Sequence, residues 1–131
     1  MAETGTIRTR TQRWAEKAFQ AVSERRNYPK KNDYVTFAKS FPALIHTCGL
    51  VQALAFAEAK AKDKGAGRSE TRALVEDLAR VLGVEPTELL EQSRKADVVA
   101  YLRLSRNALA AAGWLKRYAE ALLDDTTKEA G

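Results

Sequence analysis

The stretch Ser40–Lys62, SFPALIHTCGLVQALAFAEAKAK, decides how the rest of the chain is read. From Pro42 to Ala59 nearly every position is apolar or small. Ser40 and Pro42 read as a helix start, because proline is tolerated in the first turn. A helix that is apolar all round belongs in the middle of its domain. The reading is therefore a buried central helix, with His46 and Cys48 inside the core. Gly49 within it costs about 1 kcal/mol relative to alanine, and the expected return is close approach of a neighbouring helix. The same stretch does not span a bilayer, since His46, Thr47, Gln52 and Glu58 interrupt it.

Working outward, the other segments also carry helical periodicity. Upstream, Trp14, Ala18 and Val22 are spaced by four, with Ala15 and Phe19 beside them, over a helix from about Thr9 to Ser23. Asn27-Tyr28-Pro29 stops it, because the residue before proline leaves the α region. Asp33 reads as the N-cap of a short helix over Tyr34–Lys39. Downstream, Asp63–Ser69 reads as a connector with Gly65 and Gly67 as breakers. Ser69 then caps a helix over Glu70–Leu82, with Leu74, Leu78 and Leu82 spaced by four. After Gly83 a short helix runs from Pro86 to about Ser93, and Asp97 precedes the longest helix, reaching about Leu123. With 3 Pro and 7 Gly in 131 residues, the prediction is all-α: a compact bundle of five to six helices with a long C-terminal helix. Residues 1–131 are read as one domain, with about 1–8 and 124–131 as flexible tails.

The net charge of +5 is unevenly spread. Residues 1–32 hold eight Lys or Arg against three acids, and residues 94–123 hold six against two. Between them, residues 69–93 hold two against six. Local basic blocks of this kind are compatible with a polyanionic partner, and equally with a solvated surface. The start, MAETGTIRTRTQR, lacks the apolar core of a secretory signal, so the expected compartment is the cytoplasm.

Chemistry is sparse. Cys48 is the single cysteine and His46 the single histidine, so no disulfide and no cysteine-based zinc cluster is expected, and no cofactor. Cys48 reads as a small core hydrophobe. Glu76 and Asp77 fall on a helix expected at the surface, where adjacent carboxylates are solvated. No catalytic constellation emerges, and the chain is read as a non-enzyme.

LARVLGVEPTELLE, residues 78–91, has the outline of a helix-turn-helix. In a DNA reader the start of the second helix faces base edges. Here that start carries Glu88 and Glu91, whose charge opposes a phosphate lattice. Two other stripes have the right sign. On the last helix, Leu104, Ala108, Ala111, Leu115, Tyr118 and Leu122 gather on one face, while Arg103, Arg106, Ala110, Gly113 and Arg117 follow the opposite face. On the first helix, Arg10, Arg13 and Lys17 form a similar stripe. Arginine offers a planar fork of donors suited to sequence-independent phosphate contact.

Three segments together resemble the small helical subunit family of type III-B CRISPR (Cmr) RNA-targeting complexes: RTQRWAEKAF, FPALIHTCGLVQALAFAEAK and YLRLSRNALAAAGWLKRYAEALL. The matching features are Gln12-Arg13, Ala15 and Ala18 near the start, and Pro42, Gly49-Leu50, Gln52 and Leu54-Ala55-Phe56 in the middle. In the last helix they are the small-residue stretch, Trp114, Lys116-Arg117, Tyr118 and Ala119. The resemblance implies an all-α, non-nuclease subunit. Several copies would stack beside the repeated backbone subunits, lining the channel of target RNA and guide RNA, with cleavage left to the backbone subunits. By motif position the RNA-facing surface maps onto Arg13, Lys116 and Arg117. Arg10, Lys17, Arg103 and Arg106 follow from the helix faces, and Lys39 from its place before Phe41-Pro42. Gly65–Lys95 matches no part of the family pattern. Two alternatives stand beside this reading: a helix-turn-helix DNA-binding regulator and a purely protein–protein adaptor.

Overall fold

The computed structural model describes residues 8–64 and 69–124, and among them there are six helices and no strand. The helices are α1 (Arg10–Ser23), α2 (Lys31–Cys48), α3 (Leu50–Lys64), α4 (Glu70–Leu82), α5 (Pro86–Lys95) and α6 (Val98–Leu122). At 1.5 Å per residue α6 is about 37 Å long, and it packs against α1, α2 and α4. The expected 65–68 part of the connector lies outside the described residues. So do the expected tails, except for Arg8 and Asp124.

The local starts and stops have identifiable causes. Thr9 caps α1 through a reciprocal pair: its hydroxyl accepts from the Gln12 amide at 3.0 Å, and its own amide donates to Gln12 Oε1 at 2.9 Å. Ser69 caps α4, as its position predicts, accepting from the amides of Thr71 and Arg72. Asp97 caps α6 by accepting from the Ala100 amide at 2.9 Å. Gly83 ends α4 in the left-handed region at φ +80°, with Val84 N–H bonded to Ala79 O at 3.0 Å.

The opening stretch is organised differently from its sequence reading. No helix begins at Ser40. Helix α2 starts at Lys31, without a side-chain cap, and runs through Pro42 to Cys48, so Asp33 lies in its first turn and caps nothing. Pro42 removes one backbone bond, yet Tyr34, Phe37, Ala38, Phe41 and Ile45 form one continuous buried stripe along the helix. At about 1.5–3 kcal/mol for each large apolar side chain, that stripe outweighs the about 3 kcal/mol cost of an internal proline. The break falls at Gly49, with φ +89° and ψ 159°, a region open essentially to glycine alone. Gly49 therefore serves backbone conformation rather than close packing, since a Cβ there would meet Tyr101 Oη at an ordinary 3.5 Å. That hydroxyl accepts from the Val51 amide at 3.2 Å and satisfies one of the free donors opening α3.

The break also changes which helix is central. Helix α3 buries Leu50, Ala53, Leu54, Ala57 and Ala61 on one side and exposes Val51, Gln52, Ala55 and Phe56 on the other. His46 and Cys48, expected in the core, are exposed at the end of α2. The centre is α4, which touches every other helix and buries nine of its thirteen residues. One contiguous cluster joins Leu74, Leu78 and Val81 of α4 to Tyr34 and Phe41 of α2, Leu54 of α3 and Leu115 of α6.

Burial of α4 brings Asp77 inside. Expected at the surface, it is 4 % exposed. It accepts from Arg25 Nε at 3.0 Å, Arg25 Nη2 at 2.9 Å and the Tyr34 hydroxyl at 2.5 Å. Burial pushes the Asp77 carboxyl above its ordinary value, while Arg25 and Tyr34 pull it back. Burial also pulls the Arg25 guanidinium down, but its bonds to Asp77 prevail and hold it raised. With Arg80–Glu24 at 2.9 Å, this pairing sets α1 and α4 in opposite senses: Glu24 and Arg25 lie beside residues 73–80, and Lys17 beside Gly83.

Candidate nucleic-acid interface

Helix α6 presents two opposite faces, as its periodicity predicts. At about 100° per residue, Ala108, Ala111, Ala112, Leu115 and Ala119 share one side, and all are buried. Leu104, Tyr118 and Leu122 flank them, half-buried. Four buried alanines let α1, α2 and α4 come close to the α6 axis. The opposite side carries Arg103, Arg106, Ala110 and Arg117, all exposed, with Gly113 half-buried between them. A Cβ on Gly113 would meet nothing within 4 Å, so the middle of this face is low and open.

Among the described residues, Arg103, Arg106 and Arg117 pair with no carboxylate. Several cations elsewhere do: Arg25 with Asp77, Arg72 with Glu76, Arg80 with Glu24, Lys95 with Glu91. Arg80 lowers the Glu24 pKa through its hydrogen bond, and Lys95 does the same to Glu91. The outward face of α6 thus keeps its charge available to an external anion. Lys116, next to Arg117 in sequence, is half-buried on the flank of this face.

The remaining candidates are not gathered onto that face. On α1, Arg10, Arg13 and Lys17 are exposed and without a carboxylate partner among the described residues. The Arg10 guanidinium lies 5.0 Å above the Trp14 ring, Arg13 Nη1 donates to Arg8 O at 2.8 Å, and Lys17 reaches towards Gly83 at the end of α4. This stripe follows the α4 flank of α1, whereas Phe19, on the other flank, meets Tyr118 of α6. The two basic stripes are therefore separate strips. Lys39 is engaged elsewhere: it is bonded to Asp124 at 2.6 Å, and that bond raises its pKa. Asp124, which opens the segment expected as a tail, is thereby tied to α2.

The sequence reading missed the aromatic side chains beside the α6 stripe. Trp114 stacks on Tyr118 with ring centroids 5.8 Å apart, and Tyr118 meets Phe19 edge-on at 5.5 Å. The Arg117 guanidinium lies 5.7 Å from the Trp114 centroid. The i, i+3 and i, i+4 spacing of 114, 117 and 118 was a signal for this cluster, but the partner on α1 was not. It also missed Asp77, although the 74-77-78-81 spacing places that residue on the core face of α4.

No group of residues suited to hold a metal occurs among the described residues, and none of their helices is long and apolar enough to cross a membrane. An open groove of about 520 Å³ between α2 and α3 is lined by Phe37, Leu44 and Phe56 with Asp33, Lys60 and Glu70.

Comparison with known proteins agrees with this arrangement. The family described as CRISPR-associated protein (Cas_Cmr5) matches residues 10–122. The CRISPR system Cmr subunit Cmr5 of Thermus thermophilus is 42 % identical over 120 residues, covering 91 % of this chain and all of the relative. The crystal structure of a CRISPR-associated Cmr5 family protein from the same organism superposes with a TM-score of 0.81 at 42 % identity, over 90 % of this chain and all of the other. With the family matched across all six helices and the solved fold reproduced, the chain belongs to the CRISPR-associated Cmr5 family.

Proposed function

We propose that this chain is a non-catalytic structural and RNA-binding small subunit of a type III-B CRISPR ribonucleoprotein effector, working in the cytoplasm. Several copies stack beside the backbone subunits and line the channel of target RNA and guide RNA. The single observation that carries the RNA part is the outward face of α6, where Arg103, Arg106 and Arg117 lie exposed and unpaired among the described residues, opposite the buried alanines. Contacts of this kind position a strand without reading it, while guide pairing reads sequence. Each contact is weak, so useful affinity comes from repeated copies.

A second observation supports the protein contacts of an assembly. Val98, Val99 and Leu102, in the first two turns of α6, are 73 %, 66 % and 55 % exposed. Three neighbouring apolar side chains left in water favour a protein neighbour at that end. Duplex reading through the Gly83 turn gains no such support: Glu88 and Glu91 are exposed on α5, and Glu91 is bonded to Lys95.

The test is charge reversal at Arg103, Arg106 and Arg117 in a reconstituted complex. Target RNA should be retained less well. The plot of log affinity against log salt should flatten by about two, from about 0.7 per single-strand phosphate contact removed. Unchanged retention and slope would show that this face does not touch RNA.

A further inference from the structure

We infer that Phe19, with the Trp114–Tyr118 pair behind it, is a stacking platform for an unpaired base of bound RNA, with a phosphate contact from Arg117 at the far end of the ring series. This rests on the RNA-binding reading of α6 and adds a contact with the base itself. Phe19 is 41 % exposed although it sits at the α1–α6 seam, so a large part of its ring is left for a ligand. Behind it the aromatic series is continuous: Phe19 to Tyr118 at 5.5 Å, then Tyr118 to Trp114 at 5.8 Å. Arg117 closes that series, 5.7 Å from the Trp114 centroid, and belongs to the unpaired arginine stripe.

Charge distinguishes this site from the other exposed phenylalanine. Phe56 is 44 % exposed with Lys60 above its ring, but it shares its groove with Asp33 and Glu70, which repel a phosphate backbone. Beside Phe19, the carboxylate one turn back on its own helix is Glu16, exposed and held by Gln20 at 2.9 Å. Phe19 thus faces one nearby acid on its helix where the Phe56 groove has two. Single-strand binders combine a basic track with aromatic faces that accept any base. The α6 stripe supplies the track, and the α1–α6 seam supplies the faces.

The experiment compares an oligoadenylate with an abasic strand of equal phosphate number, at low salt, against the full chain. Stacking predicts that oligoadenylate binds about five- to a hundredfold more tightly than the abasic strand. Phe19→Leu, which keeps the apolar contact with Tyr118, should erase that difference, and Phe19→Trp should keep it. In a Trp14→Phe chain, Trp114 is the remaining tryptophan, and its fluorescence should change with oligoadenylate in step with binding. Equal binding of both strands overturns the stacking site while leaving phosphate contact standing. A base preference that survives Phe19→Leu overturns the assignment to Phe19. No binding of either strand overturns this inference, while the RNA-binding reading stands or falls on target retention by the reconstituted complex.

Discussion

Replacing Asp77 by alanine tests whether the buried network holds α1, α2 and α4 together. At neutral pH the carboxylate accepts three donors, two from Arg25 and one from Tyr34. The substitution leaves the Tyr34 hydroxyl, in a residue 0 % exposed, without its acceptor. The Arg25 guanidinium, its side chain 20 % exposed, keeps the Ala73 carbonyl at 3.3 Å, the Glu76 carboxylate at 3.9 Å and the faces of Tyr28 and Tyr34 at 5.2 and 5.6 Å. An unmatched buried hydroxyl costs about 1–3 kcal/mol. Breaking a buried ion pair by removing one partner costs about 3–5 kcal/mol. Both losses share one carboxylate, so they overlap rather than add, and the expected destabilisation is about 3–5 kcal/mol. Unfolding entropy of about 2.1 cal/mol/K per residue gives about 0.28 kcal/mol/K for this length. The melting temperature should then fall by about 11–18 °C, read by circular dichroism with a urea titration alongside. Arg25→Ala combined with Asp77→Ala should cost much less than the two separately. The triple change Arg25→Met, Tyr34→Phe, Asp77→Leu should recover most of the loss, because apolar packing replaces an ion pair at little cost. A loss below about 1 kcal/mol for Asp77→Ala, or additive single changes, would refute the reasoning and show a hydrated carboxylate that bridges nothing.

Two further outcomes follow from the same geometry. Gly49→Ala should destabilise by about 1–3 kcal/mol, because φ +89° with ψ 159° is closed to a side chain while the space itself is free; a neutral result in urea denaturation would place the strain elsewhere. Burial first, and then Asp77, raises the Tyr34 phenol well above its ordinary value of 10, so the folded chain keeps a proton that the unfolded chain loses. The Tyr34 contribution to stability is therefore fully present below pH 10 and declines as pH rises above it. Tyr34→Phe should flatten that alkaline decline even though it lowers stability at neutral pH, and an unchanged slope would count against the burial of the ionisable group.

The sequence by itself determined those features that depend on one helix at a time. The Gly83 turn, the Ser69 cap, and the two faces of α6 are set by spacing and by the chemistry of single residues within a few positions. Arg103, Arg106 and Arg117 face outward because 3.6-residue periodicity puts them opposite Ala108, Ala111 and Leu115. What the chain could not reveal alone depends on partners distant in sequence. Whether Pro42 or Gly49 breaks the apolar stretch turns on a buried stripe that exists only when α4 and α6 cover it. Asp77 is internal because Arg25, 52 positions earlier, and Tyr34, 43 positions earlier, arrive to satisfy it. Lys39 meets Asp124 at the far end of the chain, and Phe19 meets Tyr118 on α6. Periodicity assigns a face to a side chain. Only tertiary packing decides what stands opposite that face, and with it which charges are left without a carboxylate.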